Sequence, residues 1–283
     1  MNADGPANVD SKVVADFGRE WERFNQAELS HDERADLFKA YFALFPWEAI
    51  RRDSVGFDAG CGTGRWALLA APRVGHLHCV DPSKAISVAA NNLAHLPNCT
   101  FHFATVDAMP IADGSMDFGY SLGVLHHVPD TARAIASCAR KLKPGAPFLI
   151  YLYYAFDNRP FWFRVLWRIS DLLRMVVSRL PYRVKLLFSE TTACLVYWPL
   201  ARTARWLERF GIDTGNFPLS AYRDRTLYTM RTDALDRFGT RLERRFTRPQ
   251  ITSMMERAGF ERIEIGTDQP FWCALGYKSA GPL

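Results

Sequence analysis

The chain has 283 residues, of which 48% are hydrophobic and 23% charged, and a net charge of +5; these values suit one or two folded domains and exclude a disordered chain. Its six cysteines are scattered without a C-x-x-C pair, which excludes a zinc framework and predicts a reducing, cytoplasmic setting. The N-terminal residues lack the basic start and apolar core of a secretory signal, and the longest charge-free apolar stretch, 191–201, has about half the length that spans a bilayer.

Residues 1–50 are predicted to form an N-terminal helical segment. Aromatic side chains recur at steps of three and four residues, among them Trp21 and Phe24, which is typical of an amphipathic helix. Ser30 and Glu33 form a capping-box pattern and predict that a second helix begins just after Ser30. These helices either cover an edge of the core or bring Trp21 or Phe24 over a bound ligand.

The chain is organised around an apolar run that ends at an acid and opens into alternating glycines. Residues 55–57 predict a short buried strand, and residues 66–71 predict the start of a helix. Gly60, Gly62 and Gly64 form the turn between them, where the missing Cβ atoms let the backbone adopt unusual dihedral angles and approach a ligand.

The chemistry of this turn favours a cationic ligand. A dinucleotide-binding fingerprint needs a glycine at position 65, where this chain has Arg65. Asp58, the acid before the turn, would repel a diphosphate, whereas it would attract a ligand that carries a positive charge.

Asp81 follows the second predicted strand, residues 75–80. It lies 21 residues beyond Gly60, close to the spacing of about 20 residues at which an acid at the end of a second strand meets a ribose. We therefore expect the carboxylate to accept both ribose hydroxyls. The alternative is that Asp81 caps the following helix.

Further strands are predicted, each with a distinctive sequence at its carboxyl end. A helix over 131–142 stops at Lys143-Pro144-Gly145, a basic last turn followed by proline and glycine. The strands and the sequences that close them are 100–106 with Asp107-Ala108-Met109-Pro110, 117–122 with Gly123–Val128, and 146–154 with Tyr151, Tyr153 and Tyr154.

Residues 50–155 resemble class I S-adenosylmethionine-dependent methyltransferases of type 11, because several sequence motifs stand in the order of that family. These motifs are Asp58 with the glycine turn, Asp81, Asp107-Ala108-Met109-Pro110, Gly123–Val128 and Lys143-Pro144-Gly145. The resemblance implies a Rossmann-like α/β fold with a seven-stranded, mostly parallel sheet. The sheet would end in a reversed C-terminal hairpin formed by residues 260–265 and 271–278. The resemblance also implies S-adenosylmethionine as cofactor, whose sulfonium and amino acid moiety take the place of phosphates.

The resemblance assigns cofactor contacts to particular residues. Asp107 would accept the adenine amino group, while Ala108 and Met109 would flank the ring. The residues expected to bind the cofactor are Asp58, Gly60, Cys61, Gly62, Gly64, Asp81, Pro82, Asp107, Ala108, Met109 and Leu122.

His126 and His127 follow the fourth strand, at the edge of the sheet where open α/β proteins bind ligands. Consecutive side chains point in different directions, so we expect at most one to face the reacting methyl group. His127 is the candidate general base, because an imidazole titrates near neutrality. The alternative is that both histidines only pack, since a nucleophilic acceptor needs little acid–base help. No metal-ligand set is predicted.

The sequence predicts a large insertion before the last two strands, far longer than an ordinary connection. Between residues 158 and 210 it carries ten Arg or Lys against three acids. We interpret it as a helical cap over the active-site mouth, and the alternative is a peripheral subdomain without ligand contact. The predicted domains are the N-terminal segment 1–50, a cofactor-binding core 51–154, the cap insertion 155–245, and a C-terminal helix with the last two strands, 246–283.

The first helix of the insertion, residues 160–180, is predicted to be amphipathic, with its charged side solvated and its apolar side buried. Two more helical stretches follow it, and residues 215–226 form a loop without helical period. The expected solvated side of the first helix is Arg164, Arg168, Asp171, Arg174 and Ser178, and its expected buried side is Phe161, Val165, Leu172, Met175 and Val176.

The function favoured by the sequence is methyl transfer from S-adenosylmethionine to a small, partly hydrophobic molecule, with the acceptor atom open between O, N and C. The basic insertion leaves two alternatives: an RNA methyltransferase, or a membrane-peripheral enzyme with a lipid-like substrate. Nucleic acid is disfavoured because the arginines fall at helical spacing and a target-base motif is absent. A non-catalytic cofactor-binding protein is the remaining alternative. No feature calls for an obligate protein partner.

Overall fold

The structure is a computed structural model that describes residues 8–26 and 29–281. Within these residues, seven strands form one sheet: β1 Val55–Ala59, β2 His76–Asp81, β3 Cys99–Phe103, β4 Phe118–Leu122, β5 Pro147–Tyr151, β6 Phe260–Ile265 and β7 Cys273–Lys278. Their order across the sheet is β3-β2-β1-β4-β5-β7-β6. Neighbouring strands are parallel except where β7 pairs with β5 and β6. The predicted Rossmann-like sheet with its reversed C-terminal hairpin is confirmed.

Helices lie between and after these strands. The α-helices found in the described part of the chain are α1 Ser11–Arg23, α2 His31–Tyr41, α3 Ala67–Ala70, α4 Ala85–Asn92, α5 Thr131–Lys141, α6 Phe161–Val177, α7 Tyr182–Thr192, α8 Trp198–Arg209, α9 Leu227–Gly239 and α10 Arg248–Arg257. A π-helical turn, Ala193–Tyr197, joins α7 to α8. Among the same residues, no helix combines the length and the apolar character needed to cross a bilayer.

The described residues divide into two compact units. The first unit comprises residues 8–26, 34–155 and 242–281 and contains the sheet. The second unit comprises residues 29–33 and 156–241 and contains α6 to α9.

The central strands of the first unit are buried on both faces, and every residue of β4 is buried. Apolar side chains pack on the two sides of the sheet, with Phe57 and Phe148 on one side and Trp66 and Leu77 on the other. A parallel strand covered on both faces has no solvated side. This is why the strands appear in the sequence as continuous apolar runs.

Two strands end earlier than the sequence predicts. β3 ends at Phe103, because residues 106–108 turn into a 3₁₀ helix instead of continuing to 106 as a strand. β5 ends at Tyr151, where its pairing with β7 also ends, and not at residue 154. The residues after each strand therefore belong to loops at the carboxyl edge of the sheet.

The core of the second unit is built on α9, a helix that the sequence pattern does not predict. Met230 and Ala234 of α9 are fully buried and pack against side chains of α6 and α8. Polar residues at buried positions, Thr229 and Thr232, obscure the apolar period of this helix in the sequence.

The orientation predicted for α6 is wrong. The structure buries Arg174 and Ser178, which we expected in solvent, and exposes Leu172 and Val176, which we expected in the core. Phe161 and Val165, also assigned to the buried side, are exposed as well, while Arg164 and Arg168 are exposed as expected.

The buried end of α9 explains this orientation. Arg174 Nη1 donates to the Thr240 carbonyl at 3.0 Å, and Lys185 Nζ donates to the Gly239 carbonyl at 3.0 Å. The last carbonyls of a helix have no partner within the helix, and cationic side chains satisfy them and complement the helix dipole. The C-terminal part of the charged side, Arg174 and Ser178, therefore turns inward, and the apolar side of the helix is left outside.

Candidate functional site

The glycine turn joins β1 to α3 through left-handed backbone. Gly60, Gly62 and Gly64 have φ angles of +81°, +53° and +78°. A Cβ atom added at Gly60 would lie 2.4 Å from Val124 Cγ1, and one added at Gly64 would lie 2.8 Å from Leu93 Cδ1. Both the backbone angles and the packing therefore require glycine at these two positions.

The turn is anchored on the neighbouring strand. The N–H groups of Gly60 and Cys61 donate to the Val80 carbonyl at 2.7 and 3.0 Å. A hydrogen bond with Cys79 lowers the pKa of Cys61, but burial and nearby carboxyl groups outweigh it and raise that pKa to about 11. The Cys61 thiol is therefore neutral at physiological pH.

Asp58, the last acid before the turn, is fully buried at the end of β1. Neither carboxyl oxygen accepts a hydrogen bond of normal geometry from any described residue. Burial raises the pKa of Asp58 well above its ordinary value, and the phenol of Tyr120, its neighbour on β4, offsets part of this rise. A cation on the turn would be attracted by this carboxyl group and would favour its ionised form.

Asp81 holds the glycine turn and the start of α4 together. Its Oδ2 accepts from the Gly62 N–H at 3.0 Å, and its Oδ1 accepts from the Ser83 N–H at 2.8 Å and from Ser83 Oγ at 2.6 Å. Burial raises the pKa of Asp81. Asp81 does not cap α4, because the N-cap of that helix is Lys84 and no side chain caps it. The contacts with Gly62 and Ser83 instead fix the carboxyl group in one orientation, as a ligand-binding group requires.

Asp107 has partners on α5. Its Oδ1 accepts from Ser137 Oγ at 3.0 Å, and its Oδ2 lies 2.8 Å from Arg133 Nε. Of the residues expected beside it at the adenine ring, Met109 is buried and Ala108 is exposed. The carboxylate has a structural use in holding α5, and its contact with adenine stays a prediction.

The remaining residues predicted to bind cofactor lie at the carboxyl ends of two strands. Pro82 follows Asp81 directly and is half-buried, and Leu122 is the buried last residue of β4. The structure therefore places both at the edge of the sheet that carries the glycine turn.

Trp21 of α1 lies beside the glycine turn. A Cβ atom added at Gly62 would be 3.6 Å from Trp21 Nε1, an ordinary contact distance. Phe24, the other aromatic residue considered for this place, is buried. Of the two, the structure brings Trp21 to the turn.

His126 and His127 occupy different surroundings after β4. His126 is fully buried, stacks on Tyr153 with a centroid distance of 3.8 Å, and has no hydrogen-bond partner for either ring nitrogen among the described residues. Burial, with His127 and Arg245 nearby, lowers the pKa of His126 well below its ordinary value. His126 is therefore neutral over the physiological range.

His127 has a defined tautomer. Its Nδ1 lies 2.7 Å from the Leu242 carbonyl, which can only accept, so Nδ1 carries the proton in the neutral ring. The basic nitrogen is then Nε2. The ring also makes an edge contact with Phe17 of α1, with centroids 4.9 Å apart.

The sequence gives no sign that the segment after the insertion belongs to the site. The Arg244 N–H donates to the His126 carbonyl at 3.0 Å, and the Phe246 N–H donates to the Tyr153 carbonyl at 2.8 Å. The guanidinium of Arg245 pairs with the Glu243 carboxylate at 2.9 Å. Residues 242–246 thus line the carboxyl edge of the sheet, and no helical or strand period in the sequence marks them.

No metal centre is evident in the part of the chain that the structure describes. In the ranges 8–26 and 29–281, no group of three or more His, Cys, Asp or Glu side chains lies close enough to hold a metal ion.

Comparison with known proteins agrees with this geometry. Residues 57–150 match the family model described as a methyltransferase domain. The chain is 27% identical over 242 residues to a ubiquinone biosynthesis O-methyltransferase of Thiobacillus denitrificans, which covers 80% of this chain and 94% of that protein. It is 27% identical over 127 residues to phosphoethanolamine N-methyltransferase 2 of Caenorhabditis elegans, which covers 44% of this chain and 28% of that protein.

The fold is similar to that of a magnesium protoporphyrin IX methyltransferase from Synechocystis PCC 6803, solved with bound SAH. The TM-score is 0.54 at 14% identity, over 95% of this chain and 100% of that chain. Several curated relatives are matched over less than half of their own length, with 28%, 24% and 42% covered.

Proposed function

We propose that this chain, which carries a class I S-adenosylmethionine-dependent methyltransferase domain, transfers a methyl group from S-adenosylmethionine to a small-molecule acceptor. When bound, the cofactor supplies an electrophilic methyl group on a positively charged sulfur. The aromatic rings of Tyr153 and Phe17 around the two histidines favour an acceptor with an apolar part.

The observation that carries the proposal is the Asp58 carboxyl group. It is fully buried and accepts no hydrogen bond of normal geometry from the described chain, beside a turn of three glycines in left-handed backbone. Burying an unpaired polar group costs about 1–3 kcal/mol, so a ligand that supplies a positive charge would recover part of that cost. The residues present therefore fit a cationic nucleoside.

We assign the other groups as follows. Asp81, held by Gly62 and Ser83, is the ribose acceptor. His127 is the candidate general base, because its Nδ1–H is engaged by a carbonyl and its basic Nε2 is set apart from that bond. His126 is a less suitable base, since burial lowers its pKa well below the ordinary value and makes the ring a weak proton acceptor.

Calorimetry with S-adenosylhomocysteine tests the proposal. We expect the ligand-free wild type to bind, and Asp81→Ala to weaken binding by about 10- to 100-fold, the effect of losing hydrogen bonds to a charged group. Asp113→Ala is the matched control, because Asp113 is an exposed acid of the same unit paired with Lys141. Asp81→Asn, which retains the shape of the side chain, separates lost binding from lost folding. The absence of binding heat with the folded wild type would overturn the proposal.

The relatives do not favour the alternatives. Neither an RNA substrate nor a lipid-like substrate is supported by the matched proteins over a small-molecule acceptor. We propose no second activity.

A further inference from the structure

One side of α6 exposes apolar side chains along its whole length. Ile169, Leu172 and Val176 are 60%, 60% and 62% exposed. Single exposed apolar residues are common on protein surfaces, whereas a continuous apolar patch indicates an interaction site. At about 100° per residue the side chains concerned fall within an arc of about 100°. We call this surface the outer face of α6; it consists of Trp162, Val165, Ile169, Leu172, Leu173 and Val176.

The inward contacts of α6 hold the outer face in place. Arg174 Nε pairs with Asp171 at 2.6 Å, and Arg174 Nη1 donates to the Thr240 carbonyl. Ser178, just after the helix, is fully buried, and its carbonyl accepts from Arg241 Nε at 3.1 Å. Rotating α6 to bury the outer face would break these contacts and leave a buried guanidinium unpaired. The apolar face is therefore a stable property of the folded unit.

Arginines border the outer face. Arg164 and Arg168 are exposed. At about 100° per residue Arg168 falls next to Leu172 at the edge of the apolar arc, and Arg164 lies next to Arg168, further from the arc. Asp171, the acid within α6, pairs inward with Arg174 and Arg237. The exposed side of the helix thus combines apolar side chains with positive charge.

We propose that the outer face of α6 docks on a lipid surface that carries anionic headgroups. Helices that lie in a membrane interface have this composition, with aromatic and aliphatic residues on one side and basic residues beside them. Trp162 suits the interface because its ring is amphipathic. The proposal concerns where the protein binds and does not depend on the acceptor of the methyl group.

Charge complementarity favours a lipid surface over a second copy of the chain. A second copy that docked through the same face would bring the same two arginines, from a segment, 158–210, that carries ten Arg or Lys against three acids. Like charges would then face each other across the contact. Anionic headgroups supply the negative charge that a second outer face of α6 lacks.

Vesicle flotation tests the proposal with the full chain. We expect wild type to float with vesicles of phosphatidylcholine mixed with phosphatidylglycerol, to bind pure phosphatidylcholine more weakly, and to lose binding as salt rises. Neutralising both border arginines, Arg164→Gln with Arg168→Gln, should weaken binding by roughly 30-fold, since each basic residue near an anionic surface contributes about 1 kcal/mol.

Charged substitutions on the outer face test the apolar contribution. Ile169→Glu with Leu172→Glu should reduce vesicle binding by more than about tenfold, because the apolar area no longer enters the interface. Phe103→Glu is the matched control, since Phe103 is 71% exposed but belongs to the first unit. Circular dichroism and S-adenosylhomocysteine binding check that each variant is folded.

Three results would overturn the proposal. The first is that wild type does not bind anionic vesicles at low salt, and the second is that Phe103→Glu loses as much binding as the α6 variant. The third is that sedimentation velocity without lipid shows a wild-type dimer that Ile169→Glu with Leu172→Glu dissociates, since the face would then bind a second copy. Failure of vesicle binding with S-adenosylhomocysteine binding intact refutes docking alone, so the two proposals are distinguishable.

Discussion

The two units of this protein leave opposite kinds of group without a partner. In the first unit unsatisfied polar groups lie inside, among them the Asp58 carboxyl, which is fully buried and accepts no hydrogen bond of normal geometry from the described residues. In the second unit the buried charges are paired, as Arg174 is with Asp171, and apolar side chains such as Leu172 are left outside.

The difference shows what each unit requires from its surroundings. A buried carboxyl group without a partner is relieved by a small cation that enters the site. An exposed apolar face is relieved by an apolar surface that covers it from outside. The first feature supports a ligand site and the second supports docking on a larger surface, and the two can be altered separately.

The largest expected effect tests the paired interior of the second unit. Arg174→Ala removes one partner of a buried pair and should lower the free energy of unfolding by about 3–5 kcal/mol. Arg164→Ala, on the exposed side of the same helix, should change it by less than about 0.5 kcal/mol. Urea denaturation measures both. Equal costs would contradict the view that the inward charges set the orientation of α6.

The next effect concerns the glycine turn of the first unit. Gly60→Ala adds a left-handed penalty of about 1–2 kcal/mol and a clash with Val124, so we expect a loss of about 3 kcal/mol in unfolding free energy. Gly114 is the control, because its φ is +64° and no described atom lies within 4 Å of an added Cβ. Gly114→Ala should lose only about 1–2 kcal/mol. Thermal and urea unfolding would contradict the close packing of the turn if both variants lost the same amount.

A smaller effect depends on pH through His126. Burial lowers its folded-state pKa well below the ordinary value of 6.5, so below pH 6.5 the unfolded chain binds a proton that the folded chain does not. Stability is therefore present above pH 6.5 and is lost as pH falls, by up to about 2 kcal/mol at about pH 5. His126→Phe retains the ring that stacks on Tyr153 and should remove this loss. The free energy of unfolding, measured for both proteins at pH 6.5 and at about pH 5, tests this prediction. If the variant loses as much stability as wild type between these pH values, another group is responsible for the loss.

The smallest expected effect is the release of a proton from Asp58 when the ligand binds. Its folded-state pKa lies above the ordinary value of 3.8, so the ligand-free protein keeps a proton that the unfolded chain has lost. Stability should fall as pH rises from 3.8 through the folded-state pKa. A bound cation lowers that pKa, so binding of S-adenosylmethionine should release up to about one proton.

Calorimetry in buffers of different ionisation enthalpy measures this release. Asp58→Asn cannot release the proton and is the variant to compare. Release that persists in Asp58→Asn would assign the proton to a different group, and the cationic attraction proposed for Asp58 would then lack support.

Much of the first unit could be predicted from the sequence, because its signals are local. Glycines in left-handed backbone and continuous apolar strands are properties of short segments. The same locality explains why Thr247 and Gln250 form the capping box at the start of α10. The strand ends were less predictable, since pairing partners decide where β3 and β5 stop.

The candidate site was predictable only in part. Nothing in the sequence near Asp107 indicates that Ser137 and Arg133 of α5 would engage its carboxylate. The segment 242–246, which contacts both histidines, lies more than a hundred residues away from them in the chain. Contacts between such distant segments depend on how the chain returns after the insertion.

The sequence by itself determined the sheet, the glycine turn and the presence of an amphipathic helix over 160–180, because each follows from periodicity and backbone chemistry within a few residues. Only the tertiary structure decided which side of that helix faces outward. Its rotation depends on the terminal carbonyls of α9, some sixty residues further along the chain, which Arg174 satisfies. A helix has one apolar side in its sequence, but the position of its strongest polar partner determines whether that side is buried.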